Sequence, residues 1–297
     1  LTVGFGGICR TAIDRCPRID KLATVDNKNV SIPQEEQMNL KRLMTGAVFA
    51  AVCSVNSAYA QQALKIGTEG AFPPFNFVDA NGEPQGFEVD LGHAICKAAK
   101  LTCTFTAIAF DGLIPALKAK KIDAIIASMN ITDERKKVIS FVGPYYVDPP
   151  RFVGKSGSPA DVTPAGLKGR TIGVASGTIS ESYVRDVAGT TAKITSYPSL
   201  DNALLDLSAD RVELVLDNAI ALSEGFLKKP EGKGFEFIGP ALSDTKHFGI
   251  GPGIGIRQND KATASALATG LKAVQDSGEF TTLSQKYFGM DISPKKP

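Results

Sequence analysis

FDGLIPALKAKKIDAIIASMNITDER, residues 110–135, decides the fold class. Its first half reads as a short helix. IDAIIAS (122–128) is a nearly unbroken apolar run, which suits a strand of a parallel sheet covered on both faces. ITDERKKVIS (131–140) then reads as a capped helix, with Thr132 as the candidate N-cap and Arg135 three positions on. The same form returns further along: AKKIDAIIAS (119–128) and SADRVELVLDN (208–218) each show a helix end, a basic residue and a buried strand closing in a polar group. A unit that occurs twice predicts two α/β lobes, with right-handed crossovers in the parallel parts.

Upstream of that stretch, ALKIGTE (63–69) alternates and reads as a strand, GFEVDLGHAICKAAK (86–100) as a helix and LTCTFTAIA (101–109) as a second strand. Downstream, the prolines of FVGPYYVDPPRFVGK (141–155) argue for a strand outside any central position. A second series follows: strand at LKGRTIGVAS, helix opening in a glycine at GTISESYVRDVA, strand at AKITSYPS, amphipathic helix at LDNALLDLSADR, strand at VELVLDN, helix at AIALSEGFLKK. One or two strands are expected in 235–257, and a closing helix over 262–289.

MNLKRLMTGAVFAAVCSVNSAYA (38–60) has the order of a cleavable export leader: Lys41 and Arg42, an uncharged apolar stretch from Leu43 to Val55, then Ala58, Tyr59 and Ala60 before Gln61. The apolar stretch is too short for a membrane span, which needs about 20 residues. Val52 before Cys53 argues against a lipid anchor. Residues 1–37, with Cys9 and Cys16, read as an upstream extension that is non-native or disordered. A start at Gln61 leaves 237 residues, enough for two cores. These hold 26 Lys plus Arg and 26 Asp plus Glu, so the net charge of +2 of the whole chain vanishes. That balance, without basic and aromatic interleaving, gives no support for a nucleic-acid partner.

Two of the five cysteines, Cys96 and Cys103, follow the leader. In an exported chain they read as a disulfide between a helix end and the next strand, against two buried thiols or a metal pair. No histidine or cysteine clusters with them. His93 and His247 lie in no metal motif, there is no GxSxG elbow, and GVASGTIS (173–180) lacks the spacings of a phosphate-binding loop. What remains is a set of polar and aromatic residues at strand ends, where open α/β sheets bind ligands. The set is Glu69, Phe72, Phe110, Asp111, Ser128, Asn130, Arg135, Thr178 to Ser180, and Asp217. Each also has a bland reading: Arg135 as a surface charge in DERKK, Thr178 or Asp217 as helix caps.

Those residues lie in segments with a familiar look: IGTEGAFPPFNF (66–77), GFEVDLGHAICKAAKLTCTF (86–105), the opening stretch, GVASGTISE (173–181), LDNAIALSEGFLK (216–228) and GPGIGIR (251–257). From about 64 to 289 the chain resembles the periplasmic substrate-binding proteins of polar-amino-acid ABC transporters, of the lysine–arginine–ornithine, histidine and opine type. The resemblance implies a type II, two-lobe fold with largely parallel sheets flanked by helices and two crossing strands. Lobe one would hold 62–148 and 253–290, lobe two 149–252, and 291–297 would form a tail. The family's small disulfide falls on Cys96 and Cys103. Arg135 takes the place of the arginine that grips the ligand α-carboxylate, aided by the N–H groups of Thr178 and Ile179. Asp217 would receive the α-ammonium together with Ser128. Glu69, Phe72, Phe110, Asn130 and Ser180 would line the side-chain pocket.

Departures from the pattern are Glu69 for aspartate, Phe72 for tyrosine, Asn130 for serine, Ile179 for threonine, Ser180 for glutamine, and Ala175 for a bulkier residue. The distal negative group survives, which favours arginine, ornithine or lysine, with histidine possible and arginine-derived opines as the alternative. The implied mechanism is capture in the periplasm by lobe closure and delivery to a membrane permease by a monomer, with no catalysis, cofactor or metal. Rivals are a cyclohexadienyl-dehydratase-like enzyme on the same fold, a signalling module, and a purely structural protein. The last would bury Arg135 and Asp217 at a cost that a zwitterion between them removes.

Overall fold

The computed structural model describes residues 63–294. The expected leader at 38–60, the upstream stretch 1–37 with Cys9, Cys16 and the end of the tail lie outside the described residues. Strand β1 (Leu64–Thr68) leads into a small meander of β2 (Ala71–Phe72), β3 (Asn76–Val78) and β4 (Pro84–Gln85), and helix α1 (Phe87–Ala98) follows. Then come β5 (Cys103–Ala107), a 3-10 turn (Phe110–Gly112), α2 (Leu113–Lys118), β6 (Ala124–Ile125), α3 (Asp133–Lys136) and β7 (Ser140–Val142). The second series is β8 (Pro150–Lys155), β9 (Thr171–Ala175), α4 (Ile179–Ala188), β10 (Lys193–Tyr197), α5 (Leu200–Ser208), β11 (Leu214–Asn218), α6 (Ala219–Leu222), a π turn (Ser223–Leu227) and β12 (Phe235–Ile238). The chain closes with α7 (Thr245–Phe248), β13 (Ile254–Ile256), α8 (Lys261–Asp276) and α9 (Glu279–Phe288).

Two five-stranded sheets carry the fold, in the orders β5-β1-β6-β13-β7 and β10-β9-β11-β8-β12. They repeat one plan. In the first, β1 runs parallel to β5 and β6, while β13 lies antiparallel to β6 and β7. In the second, β9 runs parallel to β10 and β11, while β8 lies antiparallel to β11 and β12. The repeated unit seen in the sequence is therefore a repeated topology. The chain crosses from the first sheet to the second between Val142 and Pro150, and returns between Ile238 and Ile254. The two crossings touch, with Tyr145 N donating to Pro252 O at 2.9 Å.

Burial explains which runs became strands. All five residues of β11 are buried, as are the last four of β9, so both faces are covered as expected for central strands. Helix α8 buries Leu267, Gly270, Leu271 and Val274, the stripe that turns it toward the sheet. Cys96 and Cys103 are joined, their Cα atoms 6.2 Å apart, tying the end of α1 to β5. A loop of this size stabilises by about 2–3 kcal/mol.

The structure corrects several expectations. The proline-bearing stretch supplies β8, an interior strand; Pro150 is its first residue, a place where the missing N–H costs no ladder bond. In IDAIIAS the strand proper is short, Ala124–Ile125, though Asp123 N and Ile126 N on either side also donate to Lys65 O and Gly67 O of β1. The helix at Thr132 is a single turn, capped as expected: Thr132 Oγ1 accepts from Arg135 N. Helix α4 starts from Thr178, whose side chain accepts from Glu181 N, rather than from Gly177. The closing helix is two, because Gly278 at φ +79° turns the chain between them. His93 is exposed with its ring against Phe105, and His247 stands between Asp244 and Asp186. Among the described residues no helix is long and apolar enough to cross a membrane.

Candidate functional site

The carboxyl ends of the central strands of both sheets face one cavity of about 400 Å³. From the first sheet come Glu69 after β1, Phe110 after β5, and Ala127, Ser128 and Asn130 after β6. From the second come Ala175 and Thr178 after β9, Ile179 and Ser180 in the first turn of α4, Leu200, and Asp217 with Asn218 at the end of β11. Phe72 and Arg135 complete the wall. Ten of the eleven residues singled out in the sequence thus line the same space; Asp111 is not part of the lining. Leu200, Asn218 and Ala127 were not anticipated; they are apolar or amide residues beside motif positions, with no distinguishing mark of their own.

Local structure sets the donors. With Thr178 as cap, the N–H groups of Ile179 and Ser180 start the helix and have no intrahelical acceptor, so they are free for an anion, where the helix dipole is positive. The cap is held in turn: Thr178 Oγ1 donates to Ala175 O at 2.7 Å, and Gly177 N donates to Glu181 Oε2 at 2.8 Å. Ser128 sits at φ +52°, in the left-handed region that a side chain rarely occupies. Its buried hydroxyl has no partner among the described residues.

Three charges meet here and none is ion-paired among the described residues. The Arg135 guanidinium donates from Nη1 to Asn130 O at 2.9 Å and from Nη2 to Gly177 O at 3.1 Å, so it reaches both halves of the molecule. It also lies 5.3 Å from the centre of the Phe110 ring. Burial lowers its pKa to about 10, which leaves it charged at neutral pH. Asp217 accepts only from Asn218 N, at 2.7 Å, and burial pushes its carboxyl up to about 7. Glu69 is pushed up to about 8, first by burial and then by the nearby carboxylates of Asp217, Glu88, Asp201 and Asp111. The lining thus brings two carboxylates that resist ionisation and one buried cation to the same space, an arrangement that suits a ligand carrying charges of both signs.

Beneath the wall lies a residue the sequence did not reveal. Glu88, in the first turn of α1, is fully buried. It accepts from Asn76 Nδ2 and from Ser128 N, both at 2.6 Å, and from the Tyr145 hydroxyl. Asn76 Oδ1 in turn accepts from Gly70 N at 2.7 Å. One carboxylate therefore ties the loops carrying Glu69 and Ser128 to the crossing at Tyr145. Among the described residues no group of three or more His, Cys, Asp and Glu is placed to hold a metal.

The family model of bacterial extracellular solute-binding proteins, family 3, matches residues 64–290. An L-arginine-binding protein of Pseudomonas aeruginosa is 39% identical over 253 residues, 85% of this chain and 98% of the relative. A lysine/arginine/ornithine-binding periplasmic protein of Escherichia coli is 36% identical over 255 residues, 85% of this chain and 98% of the relative. The solved structure of a Salmonella typhimurium periplasmic binding protein, described for its high arginine specificity, superposes with a TM-score of 0.69 at 33% identity, covering 76% of this chain and 99% of that one. The two-lobe type II fold implied by the sequence is the observed one. The chain belongs to the bacterial extracellular solute-binding proteins of family 3.

Proposed function

We propose that the cavity captures a cationic amino acid, arginine, ornithine or lysine, outside the cytoplasm, and that the protein delivers it as a monomer to an ABC permease by lobe closure. The observation that carries this reading is the unpaired charge set. Glu69, Asp217 and Arg135 sum to one negative charge; a cationic amino acid, with one carboxylate and two cationic groups, sums to one positive. A neutral histidine side chain leaves one carboxylate without a counter-charge. An opine brings an extra carboxylate, and among the lining residues Arg135 is the single cation, so the simple amino acids fit better. In this reading Arg135 and the N–H groups of Thr178 and Ile179 take the α-carboxylate, Asp217 and the unpartnered Ser128 hydroxyl take the α-ammonium, and Glu69 takes the distal cation. Phe72 and Phe110 flank the stem, while Asn130 and Ser180 close the pocket edge. The lobes are 62–148 with 253–290, and 149–252, turning about the two crossings, and ligand contacts to both favour the closed state.

Titration calorimetry on refolded protein tests this. L-arginine, L-ornithine or L-lysine should bind more tightly than histidine, glutamine or an opine; equal response to glutamine would sink the charge argument. Glu88→Gln is expected to weaken L-arginine by about tenfold, because the amide N–H₂ meets donors where a carboxylate accepted, and the Ser128 and Gly70 loops lose their anchor. Unchanged affinity, measured in the same titration, would mean those loops hold themselves.

A further inference from the structure

Outside the cavity, the second lobe approaches the first closely at Gly225 as well as at Gly177, which faces the Asp111 backbone. Helix α6 does not continue regularly; it widens into the π turn Ser223–Leu227, closed by Lys228 N donating to Ser223 O at 2.9 Å. Within this turn Gly225 lies against the loop after β2. A Cβ on Gly225 would stand 2.9 Å from the carbonyl oxygen of Pro73, a distance at which one of the two backbones has to move. The next nearest atom, the Pro73 carbonyl carbon, is at 3.9 Å, so that oxygen is the sole obstacle. Gly225 is helical, in a conformation that alanine adopts freely. The glycine is therefore not required by its own lobe. It is required by the approach of the other one. Pro73 follows Phe72, which lines the cavity, so the contact forms only when the wall carrying Phe72 faces the second lobe. π turns of this kind recur at functional positions.

We propose that Gly225 is a positioning residue for closure: the missing side chain lets the π turn seat against Pro73 O, and so sets ligand affinity without touching ligand. This rests on the reading that L-arginine bridges the lobes. In the open state an alanine here meets nothing, so the ligand-free chain is unaffected, while the closed state bears the whole penalty.

The test uses the full chain freed of ligand, with L-arginine as probe. Gly225→Ala should keep the ligand-free melting temperature of the parent, weaken L-arginine at least tenfold, and do so through faster dissociation in stopped-flow measurements. Ser223→Ala, on the same turn but removing a hydroxyl that donates to Glu224 Oε1, should behave as the parent. Parental affinity and dissociation rate in Gly225→Ala would overturn the proposal. So would a fall of several degrees in its ligand-free melting temperature, which would place the need for glycine within the second lobe. A parent that fails to bind any cationic amino acid would instead refute the underlying function.

Discussion

Arg135→Lys is expected to weaken L-arginine binding by at least about thirtyfold, since removing one partner of a buried, hydrogen-bonded charge pair costs about 2–5 kcal/mol. The guanidinium is already fixed by Asn130 O on one side and Gly177 O on the other, and it faces the Phe110 ring. Its planar fork keeps further N–H groups in a set direction, suited to both oxygens of a carboxylate. A lysine ammonium offers three donors around one point and cannot serve two carbonyls and a carboxylate in that plane. Burial already lowers the pKa of arginine there, and the same burial would act on a lysine that starts from a lower value. Calorimetry against the parent reads the effect. Retention of parental affinity would remove Arg135 from the carboxylate site.

Asp217→Asn carries the second large effect, again about 30-fold or more, from the loss of the ionic partner of the α-ammonium. Here the pH dependence supplies an independent reading. Burial raises the Asp217 carboxyl to about 7, and burial together with repulsion from Asp217 and neighbouring carboxylates raises Glu69 to about 8. A bound cation reverses that preference, so binding at pH 7 expels protons, and affinity rises as the pH climbs toward 8. Calorimetry in two buffers of different ionisation enthalpy should show on the order of one proton released per L-arginine at pH 7. The variant should release less. No release from the parent would mean that the two carboxylates do not face the ligand cations. The same raised values give a sign for what these two groups contribute to stability: the ligand-free native form holds protons that the unfolded chain has lost, so their contribution is fully present below the unfolded carboxylate range and is lost as the pH rises through 7 and 8.

Much of this was legible in the chain itself, for identifiable reasons. The central strands β9 and β11 stand out because burial on both faces demands continuous apolar residues. The site residues stand out because polar groups directly after such strands fall at one rim of the sheet. Other features have no local signature. Proline in 149–150 reads as an edge signal, yet whether a strand is central depends on what later pairs with it. Gly278 looks like any helical glycine until its positive φ is seen. Glu88 is the plainest case: an acid in a first helical turn ordinarily complements the helix dipole at the surface. Its burial is decided by Asn76, Ser128 and Tyr145, which are 12, 40 and 57 residues away.

The order of strands in the first sheet bears on how the molecule is made. Strand β7 has a single neighbour there, β13, which lies more than a hundred residues later in the chain. A nascent polypeptide that has not yet reached Ile254 can therefore assemble only β5, β1 and β6 on that side. The other sheet needs nothing beyond Ile238. Synthesis from the amino end thus supplies every strand of the second sheet before the first sheet can be completed. The first sheet stays open beyond β6, with β7 unpaired, until Ile254–Ile256 have been added.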